Sequence, residues 1–171
     1  MKITLKDGSV KEYESATTAA EITKDISMGL YRNACCCRIN GAVKDLRTVV
    51  DSDCEFEVLT FDEEDGKKAF NHTASHVMAQ AVKRLYPHTK ITIGPAIENG
   101  FYYDFDVETP FGPEDLEKIE KEMKKIIKEN YPIEKFELPV DEAIKLMQDK
   151  GEPYKIELIN EHAGKGEAIS F

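Results

Sequence analysis

No apolar run in this chain approaches the roughly 20 residues that a membrane-spanning helix requires, so no such helix is expected. The amino-terminal residues alternate apolar and polar side chains from the start and lack the apolar centre of a secretory signal, which makes a cytoplasmic protein the expectation. No cysteine spacing suits a disulfide framework or a zinc site. Three of the four cysteines are the consecutive Cys35, Cys36 and Cys37, which cannot all point to one side of a strand, and a buried strand accounts for them. There is no internal repeat. There is also no acidic residue between positions 67 and 97, although Asp and Glu outnumber Lys and Arg by 33 to 23 over the 171 residues.

That local absence matters because a net charge of −10 argues against a nucleic-acid partner, whose phosphates favour a basic surface. Lys67, Lys68, Lys83, Arg84 and Lys90 fall inside the acid-free stretch, with three of the four histidines. An acidic protein therefore carries one cationic segment. With 41% hydrophobic and 33% charged residues, the chain can bury one medium core or two small ones, and two small domains are expected.

Residues 2–13 alternate apolar and polar side chains around Asp7-Gly8, a favoured tight-turn pair, and read as a hairpin. A helix should follow: Thr18 and Glu21 form a capping box, Ala19, Ala20, Ile22 and Ile26 supply its apolar face, and Gly29 its stop. Two strands come next, 34–39 turned by Asn40-Gly41, and 54–59. Hairpin, helix and strands within about 60 residues predict a β-grasp domain over 1–61. The charged run at 62–68 reads as the boundary, giving a linker over 62–70 and a second domain over 71–171.

In the second domain Asn71 is a candidate N-cap. Ala74, Val77, Met78, Ala81, Val82 and Leu85 then recur at helical spacing until Pro87 blocks continuation. A hairpin over 91–107 turns at Asn99-Gly100 and carries Phe101, Tyr102, Tyr103 and Phe105. A helix opened by Pro113 with Glu114 and Asp115 places Leu116, Ile119, Met123, Ile126 and Ile127 on one face. Beyond it the pattern predicts a strand over 133–138, a helix over 141–148, a strand over 154–159, a loop holding His162, and a strand starting at Ala168. No charged tail or cap follows Phe171, so a chain cut inside a domain is expected.

On a helix turning about 100° per residue, His72, His76 and Lys83 share the face opposite the apolar stripe, with the small Thr73, Ser75 and Ala79 beside them. Three readings fit this spacing. The histidines can be an exposed surface pair. They can be half of a zinc site, although His72-Thr73-Ala74-Ser75-His76 lacks the central Glu of the metalloprotease pattern and further ligands would be needed. They can also do metal-free acid–base work, since imidazoles titrate near neutrality and can activate a water for ester hydrolysis.

The string from His72 to His76, then residues 81–87, Ile93-Gly94-Pro95 and 99–104, resembles the editing domain of threonyl-tRNA synthetases, a fold shared with alanyl-tRNA synthetases. Residues 1–61 resemble the TGS domain that precedes it, and residues 151–155 a later editing segment. The resemblance implies an α+β chain, a ubiquitin-like β-grasp (TGS) domain followed by a truncated α+β editing domain. It implies hydrolysis of serine wrongly esterified to threonine tRNA. His72 and His76 would order the water, Lys155 would support the hydrolytic site, and Tyr103 and Lys83 would contact the substrate.

The family completes that site with a later Cys-x-x-x-His segment and an acidic residue before it, and neither occurs in these 171 residues. No metal ligand set and no cofactor are expected here. ATP and zinc are implied for the catalytic domain of the parent enzyme, a homodimer whose remaining chain and threonine tRNA are the implied partners. The chain alone is expected neither to aminoacylate nor to hydrolyse seryl-tRNA well. Two other classes compete: a TGS-type regulatory or ligand-binding module, which would not need residues 71–107, and a stand-alone editing hydrolase acting in trans, which would need the Cys-x-x-x-His segment.

Overall fold

The computed structural model describes residues 1–166 and 168–171. It divides into two compact units, one formed by Met1–Thr73 with Ala96–Gly100, the other by Ala74–Pro95 with Phe101–Phe171.

In the first unit, β1 (Lys2–Leu5) and β2 (Val10–Glu12) form the expected hairpin. After the short β3 (Thr17–Thr18), Thr18 caps α1 (Ala19–Ile26) by accepting a hydrogen bond from Glu21 N at 3.2 Å. The helix ends before Gly29, because Ser27 leaves it in an extended conformation and itself caps α2 (Met28–Asn33). Then come β4 (Ala34–Ile39), β5 (Ala42–Lys44), β6 (Val49–Val50) and β7 (Cys54–Thr60). The five-stranded sheet has the order β2-β1-β7-β4-β5, with β1 parallel to β7 and the other pairs antiparallel. A parallel pair at its centre forces a crossover, and the crossover includes α1. Ile3, Ala19, Ile22, Cys37, Val50, Cys54 and Phe56 form the core between helix and sheet.

The cysteine triplet lies in a strand, as expected, with Cys36 and Cys37 buried, Cys35 partly exposed and a register shift between Ala34 and Cys36. Cys37 faces the core, and burial pushes its thiol up to about 12. Cys36 is also buried, and its Sγ lies 3.8 Å from the carbonyl of Asp65. All four thiols are free.

Residues 62–70 are not an extended linker, because α3 (Glu64–Leu85) already begins at Glu64. Glu63 accepts hydrogen bonds from Thr60 N (2.7 Å) and Thr60 Oγ1 (2.9 Å), and Glu64 and Asp65 place negative charge at the helix start. Asn71 is therefore mid-helix rather than a cap. Gly66, which suggests a loop in the sequence, is a packing residue: a Cβ there would lie 1.8 Å from the carbonyl oxygen of Thr60.

In the second unit, the later half of α3 packs Ala81 and Val82 against Ile119 and Ile126 of α4 (Pro113–Glu129). Between the two helices in sequence come β8 (Lys90–Ile91), β9 (Ala96–Ile97), β10 (Gly100–Phe101) and β11 (Phe105–Asp106), with residues 96–100 belonging to the first unit. β8 and β11 pair antiparallel, Ile91 opposite Phe105, so the expected hairpin is present, but it turns at Glu98-Asn99, one residue earlier than expected, with Gly100 already in β10. α4 (Pro113–Glu129) starts on Pro113 and ends at Asn130 in the left-handed conformation. Arg84 clamps it by reaching Glu122 (3.1 Å) and Glu129 (2.8 Å).

The remainder is β12 (Glu137–Leu138), α5 (Val140–Asp149), α6 (Pro153–Gly164) and β13 (Ile169–Ser170), with β12 antiparallel to β13. The strand expected over 154–159 is helical, and His162 lies on α6 rather than in a loop. Ile156 and Ile159 are one helical turn apart and both join the core around Ala143 and Met147 of α5, while Pro153 occupies the first turn.

Gly66→Ala should destabilise the first unit by at least about 3 kcal/mol, because the strain falls on backbone. Gly164→Ala, at a helical position with no atom near the added Cβ, should stabilise by up to about 1 kcal/mol. Paired urea titrations check both; equal midpoints would show that α3 does not need its close approach to Thr60.

Candidate functional site

The two histidines of the sequence motif lie on α3, four residues apart, and both are exposed. Ser75 between them is buried. Helix periodicity explains the difference: Ser75 is on the side that continues to Met78 and Val82, and His72 and His76 are on the other.

Lys83, on the histidine side two turns beyond His76, is committed within its own unit. Its Nζ donates to the carbonyls of Pro87 (3.0 Å) and Thr89 (2.9 Å) and pairs with Glu152 Oε1 at 2.8 Å. Three N–H bonds therefore have three partners. Glu152 precedes α6, and its side chain is only 7% exposed. Its second oxygen, Oε2, accepts the backbone N–H of Ile91 at 3.1 Å.

Lys155 stands in the first turn of α6, not on a strand, and its half-buried Nζ donates to the carbonyl of Thr92 at 2.8 Å. Burial pulls the ammonium below its ordinary value, and the negative charge of Glu152 partly restores it. Residues 83, 87–92, 152 and 155 thus form one charged, hydrogen-bonded knot.

Tyr103 joins it electrostatically. Burial, with the charge of Glu152 added, pushes its phenol up to about 12. Its ring stacks on Phe105 with centroids 4.7 Å apart. On another side it lies against Gly94: a Cβ at that position would sit 2.0 Å from Tyr103 Cδ2. This is a physical reason for glycine within Ile93-Gly94-Pro95, since any side chain would displace the tyrosine ring.

Of the residues singled out from the sequence, Lys83, Tyr103 and Lys155 are thus linked through Glu152, whereas His72 and His76 present imidazoles on the exposed side of α3. Glu152 was not among them. No local signal marks it, because its burial and its partners Lys83 and Ile91 come from tertiary pairing. Among the described residues no group of three or more His, Cys, Asp or Glu side chains could hold a metal ion. Among them, too, no helix is long and apolar enough to cross a membrane.

A β-grasp unit with this strand order, helix and length defines the class of the first sixty residues, and residues 1–60 match the TGS domain family. The chain thus contains a TGS domain within a mixed α+β architecture. Its similarity extends much further. All 171 residues align at 60% identity with the threonine–tRNA ligases of Acetivibrio thermocellus and Clostridium perfringens, and at 57% with that of Clostridium tetani. The chain spans only 27%, 26% and 27% of those proteins, respectively. It is therefore homologous throughout to the amino-terminal region of threonine–tRNA ligases, which are enzymes of protein synthesis.

Because the folded state favours the neutral phenol of Tyr103, it gives stability that is complete below pH 10 and is lost as pH rises toward 12. Gly94→Ala should expel the ring and bring the Tyr103 midpoint down from about 12 toward 10, leaving Tyr13, also at about 12, unchanged. Ring-carbon NMR titration reads the two separately; an unmoved Tyr103 would refute the packing argument.

Proposed function

We propose that this chain is the amino-terminal, proofreading part of a cytoplasmic threonine–tRNA ligase, and that its second domain carries part of a site that hydrolyses serine from threonine tRNA. The observation that carries this reading is the 60% identity to a threonine–tRNA ligase over all 171 residues.

The chemical need is specific. Serine differs from threonine by one missing methyl group, and a synthetic pocket discriminates against a smaller analogue by only about 1–3 kcal/mol, so a second site must remove the error. An aminoacyl ester needs an activated water. Exposed imidazoles on one helix side suit that role: a neutral ring accepts the proton of the attacking water and its conjugate acid returns it to the leaving ribose hydroxyl. Tyr103 remains a proton donor at neutral pH and is suited to the tRNA terminus or the amino acid. Lys155 offers positive charge to the developing oxyanion. Lys83 fits a supporting place, holding Glu152, better than direct contact with substrate.

The acceptor end of threonine tRNA and the rest of the ligase, as a homodimer, are the proposed partners. ATP and zinc would serve aminoacylation elsewhere in the parent, and no step here depends on them. These 171 residues contain no Cys-x-x-x-His segment. The chain by itself should accordingly hydrolyse seryl-tRNA poorly.

The test uses a ligase that carries this chain as its amino-terminal part. His72→Ala together with His76→Ala should slow seryl-tRNA hydrolysis by about 100-fold or more and leave threonylation unchanged. Undiminished hydrolysis would refute the assignment of the histidines, and efficient hydrolysis by the 171-residue chain alone would refute the division of the site.

A further inference from the structure

The knot around Lys83 holds two ammonium groups and one buried carboxylate, and Glu152 ties separate parts of the unit together through its side chain and its backbone. Glu152 Oε1 is 2.8 Å from Lys83 Nζ of α3, and its Oε2 is 3.1 Å from the N–H of Ile91 on β8. Its own carbonyl accepts the N–H groups of Lys155 (3.2 Å) and Ile156 (3.3 Å), so it begins α6. Its own N–H donates to Met147 of α5 at 2.9 Å. Any shift of Glu152 moves the first turn of α6, and with it Lys155.

We propose that Glu152 is the positioning residue of the site: fixed by Lys83 and Ile91, it sets the place of Lys155 against Thr92 and supplies the counter-charge for its ammonium.

The charge count supports this. Lys155 has one hydrogen bond to a neutral carbonyl and is half-buried, so its ammonium needs a nearby negative charge. Lys83, Tyr103, Lys90 and Asp106 do not supply it. Lys83 from α3 is a cation, and Tyr103 from the hairpin is a neutral phenol at ordinary pH. On β8 and β11, Lys90 faces Asp106 at 3.8 Å, and Asp106 also accepts the hydroxyl of Tyr154 at 3.0 Å. Glu152 is left as the carboxylate that supports Lys155, in agreement with the upward influence its charge has on that lysine. Two cations sharing one anion also leave a net positive charge at the knot, suited to an ester carbonyl that becomes an oxyanion.

The inference rests on reading this region as the hydrolytic site, but its test does not. In the 171-residue chain, competitive acetylation across about pH 7 to 11, read by mass spectrometry, gives the titration midpoint of Lys155. In the unaltered chain that midpoint should lie below the ordinary lysine value of 10.5. Glu152→Gln, which keeps an acceptor for Ile91 but removes the charge, should shift it further down. Glu152→Asp, which keeps the charge on a shorter arm, should shift it less in the same direction and serves if the Gln variant does not fold. A midpoint unchanged in the variants overturns the proposal. So does a rise to 10.5, because that is what a purely structural pin would give on loosening. Loss of hydrolysis in the histidine variants bears on the functional reading alone.

Discussion

A carboxylate withdrawn from water costs several kcal/mol unless a cation and hydrogen bonds replace its hydration. Glu152 meets that condition only with Lys83 on one oxygen and the Ile91 amide on the other. The requirement fixes the end of α3, the start of α6 and the strand between them as one assembly, so the second unit's geometry follows from satisfying a single buried charge. Lys83 can hold Glu152 because it also caps the carbonyls of Pro87 and Thr89, where the chain leaves the helix. Lys155 then reaches Thr92, and Tyr103 lies close enough to sense the same charge.

The first unit depends on a different constraint. β1 and β7 are parallel, and the connection between them has to carry α1 across the sheet. Cys37 and Phe56 face that helix. On the other side, Cys36 meets the start of α3, where Gly66 brings helix and strand backbone together. Cys36 and Cys37 are therefore covered on opposite sides of the strand, while Cys35 is partly exposed.

Much of this was legible in the sequence, and the exceptions share a cause. The hairpin at Asp7-Gly8, α1 with its Thr18 cap, and α4 behind Pro113 carry local signals that the structure repeats, and the second hairpin turns one residue before its Asn99-Gly100 signal. The start of α3 was missed because charged residues and Gly66 look like a linker; what makes them helical is contact with Thr60, which is not local information. The segment 154–159, expected as a strand, is helical because Ile156 and Ile159 pack at helical spacing onto α5. Of the candidate site, the exposure of His72 and His76 was readable from helix periodicity. The acid that joins Lys83 to Lys155 was not, since those residues come together only through tertiary pairing.

The central claim is that the second unit recognises serine attached to the tRNA end. It is tested most directly by NMR titration of the 171-residue chain with a non-hydrolysable amide analogue of seryl-adenosine. The account predicts saturable shifts centred on His76, Tyr103 and Lys155. Shifts confined to residues 1–60, or none at millimolar analogue, a range in which even weak binding of about 4 kcal/mol is visible, would contradict it.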